Sequence, residues 1–255
     1  MRPSGAASQE SFATGWYGKI PGTGDFITRR VAPTFSEAWH GWLQEAIAGS
    51  RHRLGARWRD SFLSMPVWRF VLSPGVLSAN AWAGIMAPSV DAVGRYFPLA
   101  VASALPSASL DLVGTLAGAE SWFDEVEAVA LSAIAPAADT AAIDAAIAQR
   151  PFRAEWLRYP EGRDDTVPIR GAKPQMLWLP LGPRRGRAAA PELSTFAERL
   201  AEPCSAWLAE ESELFPRCAL LCESLPAGEQ YCAMMDGRWV EHGWGRRDAR
   251  SGATA

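Results

Sequence analysis

The chain has 255 residues, 48% hydrophobic and 21% charged, with a formal net charge of −3. That composition can bury a sizeable core as one large domain or two small ones, and it excludes a disordered chain. Basic and acidic residues are interspersed, which argues against a nucleic-acid binder; the nearest approach to a basic stripe is Arg184, Arg185 and Arg187.

Residues 1–12 lack the apolar run of a secretory signal, and the apolar stretch 126–138 is interrupted by Glu127, Ser132 and Pro136. The expectation is a cytoplasmic protein without membrane insertion. Thr34 with Glu37 reads as a capping box opening a helix, followed by Phe35, Ala38, Trp39, Trp42, Leu43, Ala46 and Ile47 at helical spacing and stopped by Gly49. Leu54, Trp58 and Phe62 predict a second, more basic helix ending before Pro66. Strands are predicted over 67–72, 81–86 and 96–104, the last with Pro98 at an edge or entry position. Helices follow over 110–135 and 139–149, the latter N-capped by Asp139.

Residues 151–174 read as a linker or long surface excursion. A strand is predicted over 175–180, a helix from 191 towards 203 with helical character to 210, and strands over 217–223 and 230–235. Asp236-Gly237 reads as a hairpin turn into 238–241, and the tail 246–255 as frayed. Strands joined by short turns with no helix between 67 and 104 favour an α/β layered fold with a mixed, largely antiparallel sheet. The division is a region at 13–150 and a second at 151–245, which is either separate or completes the first sheet. The twelve tryptophans are expected to fill a bulky core, with an interface role left open for some.

Two segments share a texture that a plain loop or a plain core would lack: 16–30 and 85–99. Each joins Gly and Pro to charges (Lys19, Asp25, Arg29 and Arg30; Asp91 and Arg95) beside Phe26, Tyr96 and Phe97. Such charges either pair locally or face a partner, because burying an unpaired charge is costly. The three histidines offer no nucleophile–base motif: His40 is expected to face solvent, His52 lies between arginines, and His242 is near the frayed end. Cys204, Cys218, Cys222 and Cys232 form no C-x-x-C pair and are expected to be small buried hydrophobes rather than metal ligands. In 18–26, Gly18-Lys19 precedes Gly22 and Gly24, the wrong order for a phosphate-binding loop. A small-molecule or nucleotide-responsive switch using this Gly-rich loop is the alternative reading. A carboxylate site from Asp25 and Asp91 ranks behind structural pairing. No cofactor is expected.

The blocks Tyr17-Gly18-Lys19-Ile20-Pro21-Gly22-Thr23-Gly24-Asp25-Phe26 with Arg29-Arg30, then Pro66-Val67-Trp68-Arg69-Phe70, then Pro88-Ser89-Val90-Asp91 through Val93-Gly94-Arg95 to Phe97-Pro98-Leu99, occur in the order seen in one family. Over 16–105 the chain resembles the TagF (ImpM) proteins associated with bacterial type VI secretion systems. The resemblance implies a three-layer α/β sandwich and a non-enzymatic, cytoplasmic accessory protein. It further implies post-translational repression of secretion through binding of the forkhead-associated (Fha) scaffold protein. Lys19, Asp25, Arg29, Arg30, Asp91 and Arg95 are the candidate partner contacts, with structural pairing open for each.

Overall fold

The computed structural model describes residues 10–136, 138–160, 176–181, 203–212, 215–226 and 228–246. Its strands are β1 (Ser11–Phe12), β2 (Thr14–Gly18), β3 (Ile27–Arg29), β4 (Trp68–Leu72), β5 (Trp82–Ala87), β6 (Leu99–Ala104), β7 (Phe152–Arg153), β8 (Met176–Pro180), β9 (Cys204–Ala209), β10 (Cys218–Glu223) and β11 (Gly245–Arg246). Its described helices are α1 (Pro33–Leu54), α2 (Trp58–Leu63), α3 (Leu112–Gly118), α4 (Glu120–Ala133), α5 (Thr140–Ala148) and α6 (Glu229–Asp236).

Nine of the described strands form one sheet in the order β11-β8-β10-β9-β4-β5-β6-β2-β3, while β1 and β7 make a separate antiparallel pair. Among the described residues only β11 runs parallel to its neighbour, so the sheet is mixed and largely antiparallel. β9 pairs with β4 from Trp68 opposite Ala209 to Leu72 opposite Ser205, carrying the C-terminal strands into the sheet begun by the N-terminal ones.

The period-two alternation of β4 shows how the three layers arise. Trp68, Phe70 and Leu72 enter a core shared with Phe35, Trp39 and Phe62 of α1 and α2 and Met234 of α6. Val71 enters the opposite core with Val113, Phe123, Val126 and Ile147 of α3, α4 and α5. The expected three-layer α/β sandwich is therefore what the chain forms. Trp16, Trp39, Trp68, Trp122 and Trp207 are among its largest fully buried side chains.

Several local expectations are corrected. α1 has no side-chain cap: Ala32 is the N-cap and Pro33 occupies the first turn, where its fixed φ suits a helix start and its missing N–H costs nothing. α1 also passes through Gly49 and ends at Gly55, whose φ of 55° provides the turn out. The helix expected over 110–135 is two helices, divided at Ala119, with Asp111 accepting from the Gly114 N–H at the start of the first. Asp139 caps α5 as expected.

The helical character expected up to 210 is instead β9, buried at every residue between β10 and β4. The strand expected over 230–235 is α6, and Gly237 in the left-handed conformation closes that helix rather than a hairpin. In place of the strand expected over 238–241, a 3-10 turn forms at Val240–His242. The predicted helix from 191, the Arg184–Arg187 loop, most of the linker and residues 247–255 lie outside the described residues.

Candidate functional site

The two charged segments meet. Ser89 Oγ donates to the Lys19 carbonyl at 2.7 Å, and the Ala92 N–H donates to the Thr23 carbonyl at 3.0 Å. Between them Lys19 Nζ pairs with Asp91 Oδ2, and the two side chains are 5% and 0% exposed. Arg95 Nε donates to the same oxygen at 2.7 Å, and its Nη2 reaches the Gly24 carbonyl. Asp91 Oδ1 accepts from the N–H groups of Val93 and Arg95 at 3.0 and 2.8 Å. Burial alone would raise the pKa of Asp91. The Lys19 ammonium and the donors from Arg95 and Val93 outweigh it and hold the carboxyl well below the usual carboxylate range. An ionised, saturated carboxylate is a structural clamp rather than a general acid or base at neutral pH.

The motif glycine at 18 has a backbone reason. Its φ is 142°, and a Cβ there would lie 2.4 Å from the Pro98 carbonyl oxygen at the entry to β6. Gly18→Ala is expected to lower stability by more than about 2 kcal/mol through backbone strain and this collision. A thermal melt checks it, and an unchanged midpoint would remove the account.

The other sequence-predicted residues divide into two groups. Arg30, at φ 55°, donates through Nε to the Thr14 carbonyl and pairs with Asp144 of α5 at 2.8 Å. Trp16 Nε1 donates to the same Asp144 carboxylate at 2.8 Å. The hydrogen bond from Arg30 is the main reason the Asp144 pKa is lowered. Asp25, Arg29 and Arg95 are exposed at the surface. The Asp25 carboxylate takes no part in the Asp91 cluster, so the two carboxylates are not assembled into one site.

Sequence reasoning missed Asp144, the one charged residue in the alanine-rich α5, and it misplaced His40. His40 is half-buried in an aromatic cluster. Its Nδ1 lies 2.6 Å from the Tyr17 hydroxyl, and its ring is 5.0 Å from Phe26 and 5.2 Å from Phe97. Burial lowers the His40 pKa and pushes Tyr17 up to about 12, and the Tyr17 hydroxyl and His40 Nδ1 share the hydrogen bond between them. His242, expected near a frayed end, is 4% exposed and bonded to Asp236 at 3.1 Å.

All four cysteines are buried, and burial pushes the Cys218 and Cys222 thiols up to about 12, which keeps them protonated. A phosphate bound by 18–26 would need the Lys19 ammonium, which instead faces inward onto Asp91. Elsewhere, a cavity of about 580 Å³ lies between α3, α4 and the β9–β10 part of the sheet, with Arg69 and Glu210 in its wall. Among the described residues no helix is long and apolar enough to cross a membrane.

The family model of the TagF N-terminal domain, type VI secretion system-associated, matches residues 15–150. No curated protein matches the chain. Among solved structures the chain is similar to the crystal structure of PA0076 from Pseudomonas aeruginosa PAO1, with 32% identity and a TM-score of 0.71. That similarity covers 89% of this chain and 95% of the other. The family match takes in both charged segments and the clamp between them, and with it the chain belongs to the TagF family of type VI secretion system-associated proteins.

Proposed function

We propose that this chain is a non-enzymatic, cytoplasmic regulator that represses type VI secretion post-translationally by binding the forkhead-associated scaffold protein. The observation that carries the reading is the Lys19–Asp91–Arg95 clamp, with its Lys19–Asp91 pair buried, in a region matched to a secretion-associated family. The clamp fixes two loops so that Asp25, Arg29 and Arg95 stand exposed beside Phe26 (38% exposed) and Val93 (68% exposed). Preorganised loops lose little entropy on docking, and a small apolar group amid charges suits a reversible protein contact. In this reading Lys19, Asp91 and Arg30 hold the surface in shape, while Asp25, Arg29 and Arg95 touch the partner.

A pull-down with the cognate scaffold protein tests the proposal. Val93→Asp is expected to weaken capture several-fold without changing the circular dichroism spectrum, since Val93 sits at a turn tip. Absence of enrichment of the unsubstituted chain at micromolar concentrations would sink the reading.

A further inference from the structure

The chain carries a net charge of −3, yet residues 51–59 contain Arg51, Arg53, Arg57 and Arg59 and no acidic residue. All four arginines are exposed. The helix macrodipole accounts for Arg51 and Arg53, which sit with His52 in the last turn of α1. Arg51 also lies over the Trp58 ring at 4.3 Å, and Arg53 is 3.7 Å from Glu229.

Neither explanation extends to Arg59, and Arg57 ends only a three-residue 3-10 turn, Gly55–Arg57. They flank the start of α2, where the helix end carries the same sign of charge, and neither makes an ion pair among the described residues. A local rule is broken here without a compensating contact, which is how a functional surface is recognised.

A second observation joins this turn to the family motif. Tyr96, which follows Arg95, packs edge-on against both Trp58 and Phe62 at 5.4 and 5.7 Å. The arginine-rich turn and the second motif loop are therefore one packed unit. Arg95, with 59% of its side chain exposed, belongs to the same unit as Arg51, Arg53, Arg57 and Arg59.

We propose that these five arginines form a docking face for an acidic surface of a protein partner, an inference that rests on the protein-binding reading above. Guanidinium groups take carboxylates through paired N–H donors, and a preorganised cationic face speeds encounter with an acidic one. A protein carboxylate cluster fits better than DNA or an anionic bilayer. Extended polyanions meet the net negative charge of the whole chain, whereas a compact acidic patch interacts mainly within a Debye length of about 8 Å.

The test is binding of the purified full chain to the cognate scaffold protein at 50 and 300 mM salt, beside an Arg57→Glu/Arg59→Glu variant. Vesicles with 30% anionic lipid and a short DNA duplex serve as competing ligands. The unsubstituted chain is expected to bind the scaffold more weakly at high salt. The variant, folded by circular dichroism, should bind at least about tenfold more weakly at 50 mM, with a flatter salt response. Scaffold binding retained in full by the variant overturns the arginine face and leaves the function standing. Failure of the unsubstituted chain to bind the scaffold overturns both. Tighter binding to vesicles or duplex than to the scaffold overturns the protein-carboxylate assignment.

Discussion

Asp91→Ala is expected to destabilise the protein by about 3–5 kcal/mol, the usual cost of breaking a buried ion pair and stranding its partner. The stranded group is Lys19, whose side chain is 5% exposed beneath the two loops. The loss has a second component, because the Val93 and Arg95 N–H groups would also lose their acceptor. Urea denaturation at pH 7 measures it, and a change under 1 kcal/mol would show that the clamp does not hold the loops. The pH dependence has a definite sign. The folded pKa of Asp91 is lowered, so its contribution is complete above the unfolded value of about 3.9 and is lost as pH falls from there towards the folded value. Asp91→Asn should therefore flatten the acid limb of the stability profile, while Lys19→Met, which keeps the Arg95 and Val93 donors, should flatten it only in part.

The pair behind this prediction was only half legible in the sequence. The charged texture of both segments marked Lys19, Asp91, Arg95 and Arg30 as residues needing partners, because a charge beside aromatics cannot stay unpaired when buried. Which residues pair was not readable, since Lys19 and Asp91 are 72 positions apart and Arg30 and Asp144 are 114 apart. Such contacts are set by the sheet, which lays β2 beside β6 and packs α5 against β2.

The strands around 68–72, 82–87 and 99–104 were legible because their apolar runs are bounded by proline and turn residues. Cys204 to Ala209 and Tyr231 to Met235 were not, and for the same reason in opposite directions. Both are short apolar runs buried without a polar face, so neither a period of two nor one of 3.6 separates strand from helix. Asp236-Gly237 compounded the error, as a left-handed glycine closes a helix as readily as it turns a hairpin.

Arg69 is the second motif block's counterpart to Asp91, and its loss should cost nearly as much. It lies on β4 at the middle of the sheet with 5% of its side chain exposed. Its Nε and Nη2 donate to Glu127 Oε2 at 2.9 and 2.7 Å, and Nη2 also donates to Asp124 at 2.8 Å. Glu210 of the loop after β9 lies 3.8 Å away and is itself bonded by Arg217 at 3.1 Å. One guanidinium therefore holds α4 and the C-terminal strands to the same point of the sheet. Arg69→Met removes the cation and leaves three carboxylates converging, so a loss of about 3 kcal/mol or more is expected. Asp124 is 45% exposed and can turn to water, whereas Glu127 at 21% has less room, so Glu127 carries most of the penalty. Adding Glu127→Leu to Arg69→Met should then recover much of the loss, because a buried ion pair replaced by apolar groups of similar volume is often close to neutral. A double-mutant cycle in urea measures the coupling. If the double variant is no more stable than Arg69→Met alone, the guanidinium is not serving to neutralise Glu127, and its place in the motif must come from the cavity wall it helps to form.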